Sequence, residues 1–373
     1  MSNIILTGAT GIIGSHLLYE LIEQRLSGEA SGQLILLVRP TKVVTAHDRI
    51  AHIVSHDYIP VYLKKYTLKE MMSTLDIISC NFMDKNLGEK LAKYKGLGDC
   101  KVIHSAASTN LATTEAAREE NHTVNYLGSI NLLKAVTGIT TKLIYISTAY
   151  ACGRRTGNIP NEYSQLTDFT FRNPYEEIKN AAERKLAIMT TELGIKYQIL
   201  RPGVVVGRLI DEPYYFLPKY NVIYAFGNFF HSLTQKEISV PINVISHENA
   251  HLHLISVDYV AKVIAHLYNN DIVNELNIVP QKGVDRSYIA KMLEIVGYDN
   301  YTFVNEKTPA QNKIERVYQS KVEDSFGAYI SEAEYTYDNE LLLSLTAHIS
   351  MPDVSTHYDE LITFAREQGF RSS

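Results

Sequence analysis

The chain has 373 residues, 45% hydrophobic and 21% charged, a size that suits one core domain with a smaller second lobe. Its net charge of −5 gives no support for binding to nucleic acid or an anionic membrane surface, and no segment approaches the ~20 apolar residues of a membrane span. Cys80, Cys100 and Cys152 show neither metal-ligand spacing nor a disulfide framework, which favours a reducing cytoplasm.

The first predicted element is an apolar strand at 4–6 that runs into a loop with Gly8, Gly11 and Gly14 at three-residue spacing, followed by a helix candidate at 15–26. A strand, a glycine loop and a helix N-terminus together form a site for a dinucleotide pyrophosphate. Gly8 permits the tight turn, Gly11 lets the backbone approach the phosphates, and Gly14 allows close packing of helix and strand. Glycines also serve ordinary turns, but this position between strand and helix favours cofactor binding.

Strand-length apolar runs alternate with helical patterns through the first two-thirds of the chain. Further strands are predicted at 34–38, 75–78, 101–104, 142–146, 197–200 and 276–279. Further helices are predicted at 60–73, 114–120, 124–137 and 174–193. This alternation predicts an α/β fold with a Rossmann-type, doubly wound parallel sheet and a smaller C-terminal lobe.

The pattern changes after residue 207, because residues 208–250 are rich in Tyr, Phe, Pro and Asn and lack clear periodicity. We predict a dinucleotide-binding domain of residues 1–207 plus about 251–284. A substrate-binding lobe of residues 208–250 plus about 285–373 is expected to close over the carboxyl edge of the sheet, where ligands of such sheets bind. The aromatic stretches at 213–217 and 224–230 fit either a pocket for an acyl chain or ordinary packing of the lobe.

The end of the second strand indicates which nicotinamide cofactor binds. An acidic residue there holds the ribose 2′-hydroxyl of NAD, whereas an arginine accommodates the 2′-phosphate of NADP. Here Arg39 follows the strand, Lys42 is close behind, and the first acidic residue is Asp48. A solvated surface arginine is the alternative interpretation. We predict NADP(H), with Arg39 paired to the phosphate.

Tyr175 and Lys179 stand four residues apart in a helix candidate that starts after Asn173, so they share one helix face. Alone, this pattern usually marks a solvated helix surface. The lysine cation and an oxidised nicotinamide are expected to draw the pKa of Tyr175 toward neutrality, so that the phenol exchanges a proton with an alkoxide or alcohol. Ser147 and Thr148 follow the strand at 142–146, where a hydroxyl can bond a substrate carbonyl oxygen or merely cap a turn.

Five motifs in order carry a resemblance to the extended short-chain dehydrogenase/reductases. They are Thr7-Gly8-Ala9-Thr10-Gly11-Ile12-Ile13-Gly14, His104-Ser105-Ala106-Ala107, Ser147-Thr148-Ala149-Tyr150, Tyr175-x-x-x-Lys179, and Arg201-Pro202-Gly203-Val204-Val205-Val206-Gly207. With the strand at 276–279, the resemblance spans residues 1–280. It implies a catalytic triad of Thr148, Tyr175 and Lys179. Thr148 is preferred to Ser147 because it stands five residues before Gly153, as the family's hydroxyl does.

The same resemblance implies the cofactor contacts. It assigns them to Gly8, Thr10, Gly11, Ile12, Ile13, Gly14, Arg39, Asn81, Phe82, Ser105, Ala106, Ala107, Asn125, Tyr175, Lys179, Pro202, Val204 and Val205. Within this set Ala106 and Ala107 would contact ribose and phosphates, and the stretch 202–205 would contact the nicotinamide. Asn125 would brace the strand ends near the active site.

Within the superfamily the motifs are most similar to fatty acyl-CoA reductases and to thioester-reductase domains of carrier-protein systems. That similarity implies NADPH-dependent reduction of an acyl thioester, carried by CoA or by an acyl carrier protein. Two residues depart from the pattern. Ile178 stands where those enzymes often have Ser, and Asn81 stands where they often have an acidic residue near the adenine.

Two other functions fit the same motifs. A nucleotide-sugar epimerase or dehydratase would be expected to have an acidic residue after the second strand, where Arg39 stands. A non-catalytic NADP-binding sensor would typically lack Tyr175. The histidines at 247, 251 and 253 lack a strong zinc spacing, and no metal site is predicted.

Overall fold

The secondary structure is taken from a computed structural model that describes residues 2–331 and 335–371. Over these residues the strands, in chain order, are β1 (Asn3–Thr7), β2 (Leu34–Val38), β3 (Leu75–Ser79), β4 (Cys100–His104), β5 (Lys142–Ile146), β6 (Gly157–Ile159), β7 (Lys196–Pro202), β8 (Val204–Val206), β9 (Ile242–Ile245), β10 (Leu254–Ser256), β11 (Glu275–Ile278), β12 (Tyr301–Val304) and β13 (Tyr335–Tyr337). The α-helices are α1 (Ile12–Leu26), α2 (Ala46–Ser55), α3 (Leu68–Ser73), α4 (Leu87–Leu91), α5 (Glu115–Asn121), α6 (Gly128–Val136), α7 (Pro174–Glu192), α8 (Ile223–Thr234), α9 (Val257–Leu267), α10 (Arg286–Ile295), α11 (Lys313–Tyr318), α12 (Asp324–Phe326), α13 (Glu340–Leu345) and α14 (Tyr358–Glu367).

The central sheet of the described chain has seven parallel strands in the order β11-β7-β5-β4-β1-β2-β3. Every residue of β1, β2, β4 and β5 is buried, as expected for strands covered on both faces. The strand order reverses between β1 and β4, whose carboxyl ends therefore leave a crevice for a ligand. The predicted Rossmann-type α/β fold is confirmed.

Alternate residues of each strand enter different apolar layers, as the period of a strand requires. Ile4 and Leu6 belong to one buried cluster with residues of α1, α2 and α9, whereas Ile5 belongs to a second cluster with residues of α4, α6 and α7. A third, aromatic-rich cluster joins residues 149–163 to α8, α10 and α14. Leu342 of α13 lies in the α1–α9 cluster. The proposed domain boundaries remain a prediction.

The structure corrects three expectations about secondary structure. The helix predicted at 60–73 is two pieces, a short 3₁₀ turn at Val61–Leu63 and α3, which starts at a capping box made by Thr67 and Glu70. Helix α2 was not predicted; the side chain of Thr45 caps it by accepting from the backbone N–H of Asp48 at 3.1 Å.

The third correction concerns residues 208–250, which contain helix α8 and strand β9. Helix α8 buries one face, which includes Phe226, Gly227, Phe230 and Leu233. These residues recur every three or four positions, so a helical period was present in the sequence and was missed within a segment that also contains turns and a strand.

Candidate active site

The glycine loop brings β1, α1 and the loop after β4 into close backbone contact. Gly8 has φ +77°, and a Cβ there would lie 2.5 Å from the backbone nitrogen of Ala106. A Cβ on Gly14 would lie 2.0 Å from the carbonyl oxygen of Gly8. Side chains at either position would therefore push these elements apart. The first turn of α1 has Gly11 as its N-cap without a side-chain bond, which leaves its N–H groups available to a phosphate.

A buried histidine fixes the loop after β4 to the glycine loop. One ring nitrogen of His104 lies 2.6 Å from the hydroxyl of Thr7, and the other lies 2.9 Å from the hydroxyl of Ser129. The Thr7 hydroxyl also accepts from the backbone N–H of Ala106 at 3.3 Å. Burial, with a smaller effect of the Lys179 ammonium, lowers the pKa of His104 to about 3, so the ring is neutral.

Asn125 holds the loop after β4 at Ser108, farther along the chain than Ala106. Its side-chain oxygen accepts from the backbone N–H of Ser108 at 2.8 Å, and its amide nitrogen donates to the Ser108 carbonyl at 2.9 Å. Asn125 lies in a π-helical turn, His122–Leu127, between α5 and α6. Such turns often occur at functional sites. The side chain therefore braces the loop, and it is not among the residues that line the cleft described below.

Two arginines lie near the glycine loop, one directly after β2 and one on α2. Arg39 is exposed directly after β2, and its carbonyl accepts a hydrogen bond from a guanidinium nitrogen of Arg49 on α2. The other terminal nitrogen of Arg49 donates to the hydroxyl of Thr10 in the glycine loop at 2.9 Å. Arg49 was not identified from the sequence, because α2 was not predicted and its contact with the loop is tertiary.

The residues proposed for the adenine side make local bonds. The side-chain oxygen of Asn81 accepts from the backbone N–H of Met83 at 3.1 Å. The ring of Phe82 packs against α6, where a Cβ on Gly128 would lie 2.3 Å from it. The Phe82 carbonyl also accepts from the side chain of Asn131. These contacts fix the conformation of the loop that follows β3.

The proposed catalytic side chains meet in one cleft at the carboxyl end of the sheet. Tyr175 and Lys179 come from the first turns of α7, which Asn173 caps by accepting from the backbone N–H of Glu176 at 3.1 Å. Thr148 follows β5, and its hydroxyl accepts from the backbone N–H of Tyr150 at 3.3 Å. The expected turn-capping contact is therefore present, and it leaves the hydroxyl hydrogen of Thr148 free to donate.

The C-terminal end of β5 holds the side chain of Lys179 in place. Its Nζ donates to the carbonyl of Ile146 at 2.8 Å and lies 4.1 Å from the centre of the Tyr145 ring. An ammonium group has three N–H donors, so the position retains donors for the cofactor ribose. Burial lowers the pKa of Lys179 to about 7, while the carboxylate of Glu183 acts in the opposite direction.

The protein alone does not give Tyr175 a pKa near neutrality. Burial raises the pKa of Tyr175 well above its ordinary value, and the carboxylates of Glu176 and Glu183 add to the rise. Because burial leaves Lys179 only partly protonated near neutral pH, the lysine does not offset this effect. The expectation that the lysine cation and an oxidised nicotinamide together draw the pKa of the phenol toward neutrality stays a prediction for the cofactor-bound protein.

A fully buried ion pair stands behind Lys179. Arg201 of β7 donates to both carboxylate oxygens of Glu183 at 2.8–3.1 Å and also pairs with Glu275 at 2.5 Å. Its guanidinium carbon lies 3.7 Å from the ring centre of Tyr163. Glu183 is one helical turn beyond Lys179, so this network fixes the back of the catalytic helix against the sheet.

The cleft has a volume of about 240 Å³. Its lining includes these residues proposed from the sequence: Gly11, Ile12, Ile13, Ser105, Ala107, Thr148, Tyr175, Lys179, Pro202, Val204 and Val205. Its lining also includes these residues: Thr109, Leu111, Ile146, Ser147, Tyr150, Gly203, Lys219, Asn221, Val222 and Tyr329. The remaining proposed residues, Gly8, Thr10, Gly14, Arg39, Asn81, Phe82, Ala106 and Asn125, lie outside this lining, in the positions described above.

The two aromatic stretches contribute little to the cleft. Tyr224, Phe226 and Phe230 are fully buried in the aromatic-rich cluster, and none of the residues at 213–217 or 224–230 lines the cleft. Packing of the lobe is therefore the interpretation that the structure supports. Within residues 2–331 and 335–371, no three His, Cys, Asp or Glu side chains group as metal ligands, and no helix is long and apolar enough to cross a membrane.

Comparison with known proteins matches residues 6–264 to the model of the male sterility protein family. A fungal relative, peramine synthetase ppzA of Metarhizium majus, is 26% identical over 215 residues, which cover 55% of this chain. Those residues cover only 7% of the synthetase, so this chain corresponds to a small part of it.

Solved structures with the same fold include the terminal R domain from the myxalamid PKS-NRPS biosynthetic pathway, with a TM-score of 0.70, 17% identity and coverage of 100% of this chain and 92% of that one. The dTDP-glucose 4,6-dehydratase DesIV of Streptomyces venezuelae has a TM-score of 0.65, 15% identity and coverage of 98% and 97%. The UDP-N-acetylglucosamine 4-epimerase of Methanobrevibacter ruminantium has a TM-score of 0.62, 18% identity and coverage of 97% and 96%. The family model describes an NAD-binding domain and matches more than half of the chain, so the chain belongs to the male sterility protein family.

Proposed function

We propose that the protein is an NADPH-dependent reductase of an acyl thioester, bound to CoA or to an acyl carrier protein, or of a related carbonyl. One observation carries this proposal: Thr148, Tyr175 and Lys179 line the same cleft as the first turn of α1 and residues 202–205. A cofactor bound along the glycine loop would thus reach the three side chains with its nicotinamide end.

The residues present fit NADP(H). The glycine loop is a cradle that a Cβ at Gly8 or Gly14 would fill. At the ribose end Arg39 and Arg49 offer two guanidinium groups, which suit a 2′-phosphate better than a 2′-hydroxyl. Burial and the neighbouring Arg39 cation lower the pKa of Arg49, so an anion between the two would relieve their repulsion.

When bound, NADPH supplies a hydride to the carbonyl carbon. Thr148 and Tyr175 donate hydrogen bonds to the carbonyl oxygen as it gains charge, and Tyr175 transfers its proton to that oxygen. Lys179 holds the cofactor ribose and, when protonated, favours the resulting phenolate. With a thioester the product of this step is a hemithioacetal, which loses the thiol to give an aldehyde. The balance is one thioester, one NADPH and one proton giving one aldehyde, one thiol and NADP⁺.

The charges of the cleft also support a phosphate-bearing substrate. Its lining includes two lysines, Lys179 inside and Lys219 at the exposed side, and no Asp or Glu. CoA and the phosphopantetheine arm of a carrier both carry phosphate, at the end of the pantetheine arm that is remote from the thioester, so Lys219 at the exposed side is the residue placed to meet it. The similar proteins include the terminal R domain of a PKS-NRPS biosynthetic pathway and a peramine synthetase, which is consistent with a carrier-bound substrate.

The rival functions have specific weaknesses. Epimerases and dehydratases share the fold, and several of their structures hold NAD. NAD would be expected to meet an acidic residue after β2, where this chain has Arg39 with Arg49 beside it. A sensor without turnover has no use for the buried Tyr175 and Lys179 in a cleft with Thr148.

The deciding experiment follows NADPH absorbance with acyl-CoA, acyl-carrier, aldehyde and nucleotide-sugar substrates. We expect oxidation of NADPH with a thioester, and loss of turnover by ~10²–10⁴ in Tyr175→Phe while NADPH binding is retained. Leu193→Met, an exposed change near the other end of α7, is the matched control. Normal turnover by Tyr175→Phe would contradict the mechanism, and conversion of only nucleotide sugars would favour the epimerase or dehydratase.

A further inference from the structure

We propose that Tyr150 and Tyr329 form a fixed aromatic wall that restricts the acyl group to a short or compact chain. The proposal rests on the thioester reductase function above and names its substrate class more closely. Both side chains line the cleft beside the proposed catalytic residues. No spacing or motif in the sequence indicates a role for either tyrosine.

The wall joins two distant parts of the chain. Tyr150 lies two residues after Thr148, in the turn that follows β5, whereas Tyr329 ends a 3₁₀ turn, Gly327–Tyr329, after α12. Their rings meet edge to face with centroids 4.9 Å apart, and only 4% and 6% of the two residues is exposed. The wall therefore stands next to the carbonyl position that Thr148 and Tyr175 define.

Contacts behind the wall hold it in place. The side-chain nitrogen of Asn173 donates to the hydroxyl of Tyr329 at 2.9 Å, and Asn173 is also the N-cap of α7. The guanidinium carbon of Arg172 lies 5.7 Å from the Tyr150 ring centre and 5.5 Å from the Tyr329 ring centre. Moving either ring would disturb hydrogen bonds and cation–π contacts that are shielded from water.

The space beyond the wall is unsuited to an alkyl chain. Arg172 and Glu176 form an ion pair there at 3.3 Å, with side-chain exposures of 1% and 0%. An acyl chain that displaced Tyr329 would bring methylene groups against this buried pair and separate it from its polar neighbours, which is costly.

The size of the cleft also favours a short or compact acyl chain. Its volume of about 240 Å³ is below the ~300–1,000 Å³ of typical small-molecule sites, and the residues proposed to contact the nicotinamide line part of it. Lys219 and Asn221 lie at its exposed side, which leaves that direction for the thiol carrier. The acyl group is then directed inward, against Tyr150 and Tyr329.

The test compares acetyl-, butyryl-, hexanoyl- and decanoyl-CoA as substrates with NADPH. In the wild type we expect kcat/KM to fall with chain length. In Tyr329→Ala the ratio of decanoyl- to acetyl-CoA should rise by roughly tenfold or more, the scale on which apolar pockets discriminate by size. Tyr329→Phe, which keeps the ring and removes the hydroxyl bond to Asn173, is the matched control and should retain the wild-type preference. Thermal unfolding checks that each variant folds. Tyr150→Leu is a second variant that removes an aromatic ring from the wall.

A binding measurement separates this proposal from the proposed function. Calorimetry measures the binding affinity of acyl amides of the same chain lengths in the presence of NADP⁺. It therefore reports the chain-length preference without any reduction. If the wild type reduces thioesters but prefers decanoyl-CoA, or if Tyr329→Ala and Tyr150→Leu leave the preference unchanged, the wall does not limit the substrate. If no thioester is reduced, the proposed function fails, and the amide binding series still decides whether the wall selects by length.

Discussion

Arg49 donates a hydrogen bond from its guanidinium to the hydroxyl of Thr10 at 2.9 Å, so a cation from α2 is anchored on the glycine loop. Together with Arg39 it forms a positive site beside the glycine loop, where we propose that the 2′-phosphate of NADPH binds. We expect Arg39→Ala and Arg49→Ala each to reduce the preference for NADPH over NADH by about 10- to 100-fold, the range of a hydrogen bond to a charged group. Fluorescence titration of both nucleotides measures this preference. Arg316→Ala, an exposed change on α11, should leave it intact; an unaltered preference in Arg39→Ala would exclude a 2′-phosphate contact.

The buried Lys179 makes the stability of the protein depend on pH. Its pKa falls from 10.5 to about 7 on folding, so between these values the unfolded chain binds the extra proton. Stability should therefore rise with pH from about 7 to 10, with a contribution of up to ~1.4 kcal/mol per pH unit from this group. The free energy of unfolding, measured with denaturant at several pH values, should rise less steeply with pH in Lys179→Met than in the wild type. Lys313→Met, at an exposed position, is the control, and equal slopes in all three proteins would contradict the shift.

Asn125 bonds both backbone groups of Ser108, so its removal should loosen the loop after β4. Asn125→Ala leaves these groups without their partner, and we expect a loss of about 1–3 kcal/mol in stability. Amide hydrogen exchange should become faster at residues 105–112, and NADPH should bind more weakly. Asn86→Ala changes an exposed asparagine without a side-chain capping bond and should do neither. Unchanged exchange in the loop would show that Asn125 does not brace it.

Lys219 provides a positive charge on the exposed side of the cleft. If it binds a substrate phosphate, Lys219→Gln should raise KM for an acyl-CoA by about tenfold and leave KM for the acyl-N-acetylcysteamine thioester, which has no phosphate, nearly unchanged. The two substrates share the reacting thioester, so kcat serves as an internal check. Lys236→Gln, exposed just beyond α8, is the matched control. An equal rise for both substrates would argue against a phosphate contact.

The features predictable from the sequence are those fixed over short stretches of chain. The glycine loop, the Tyr175–Lys179 pair and the apolar strands each have a local period or spacing, and the parallel sheet follows from their alternation. Arg49 and Tyr329 reach the site only through tertiary packing, so no spacing indicated them. Burial by the whole fold raises the pKa of Tyr175, and the spacing of Tyr175 and Lys179 in the sequence does not indicate this effect.

The hydrogen bond between Asn173 and Tyr329 joins residues 156 positions apart. As the chain leaves the ribosome, the glycine loop and the first strands emerge early, and α7 emerges well before the partner of its N-cap residue. The glycine loop can therefore assemble while translation continues, whereas the proposed acyl-binding side is complete only after Tyr329 has been synthesised. Nascent chains stalled before that point should retain the dinucleotide without yet discriminating among acyl groups.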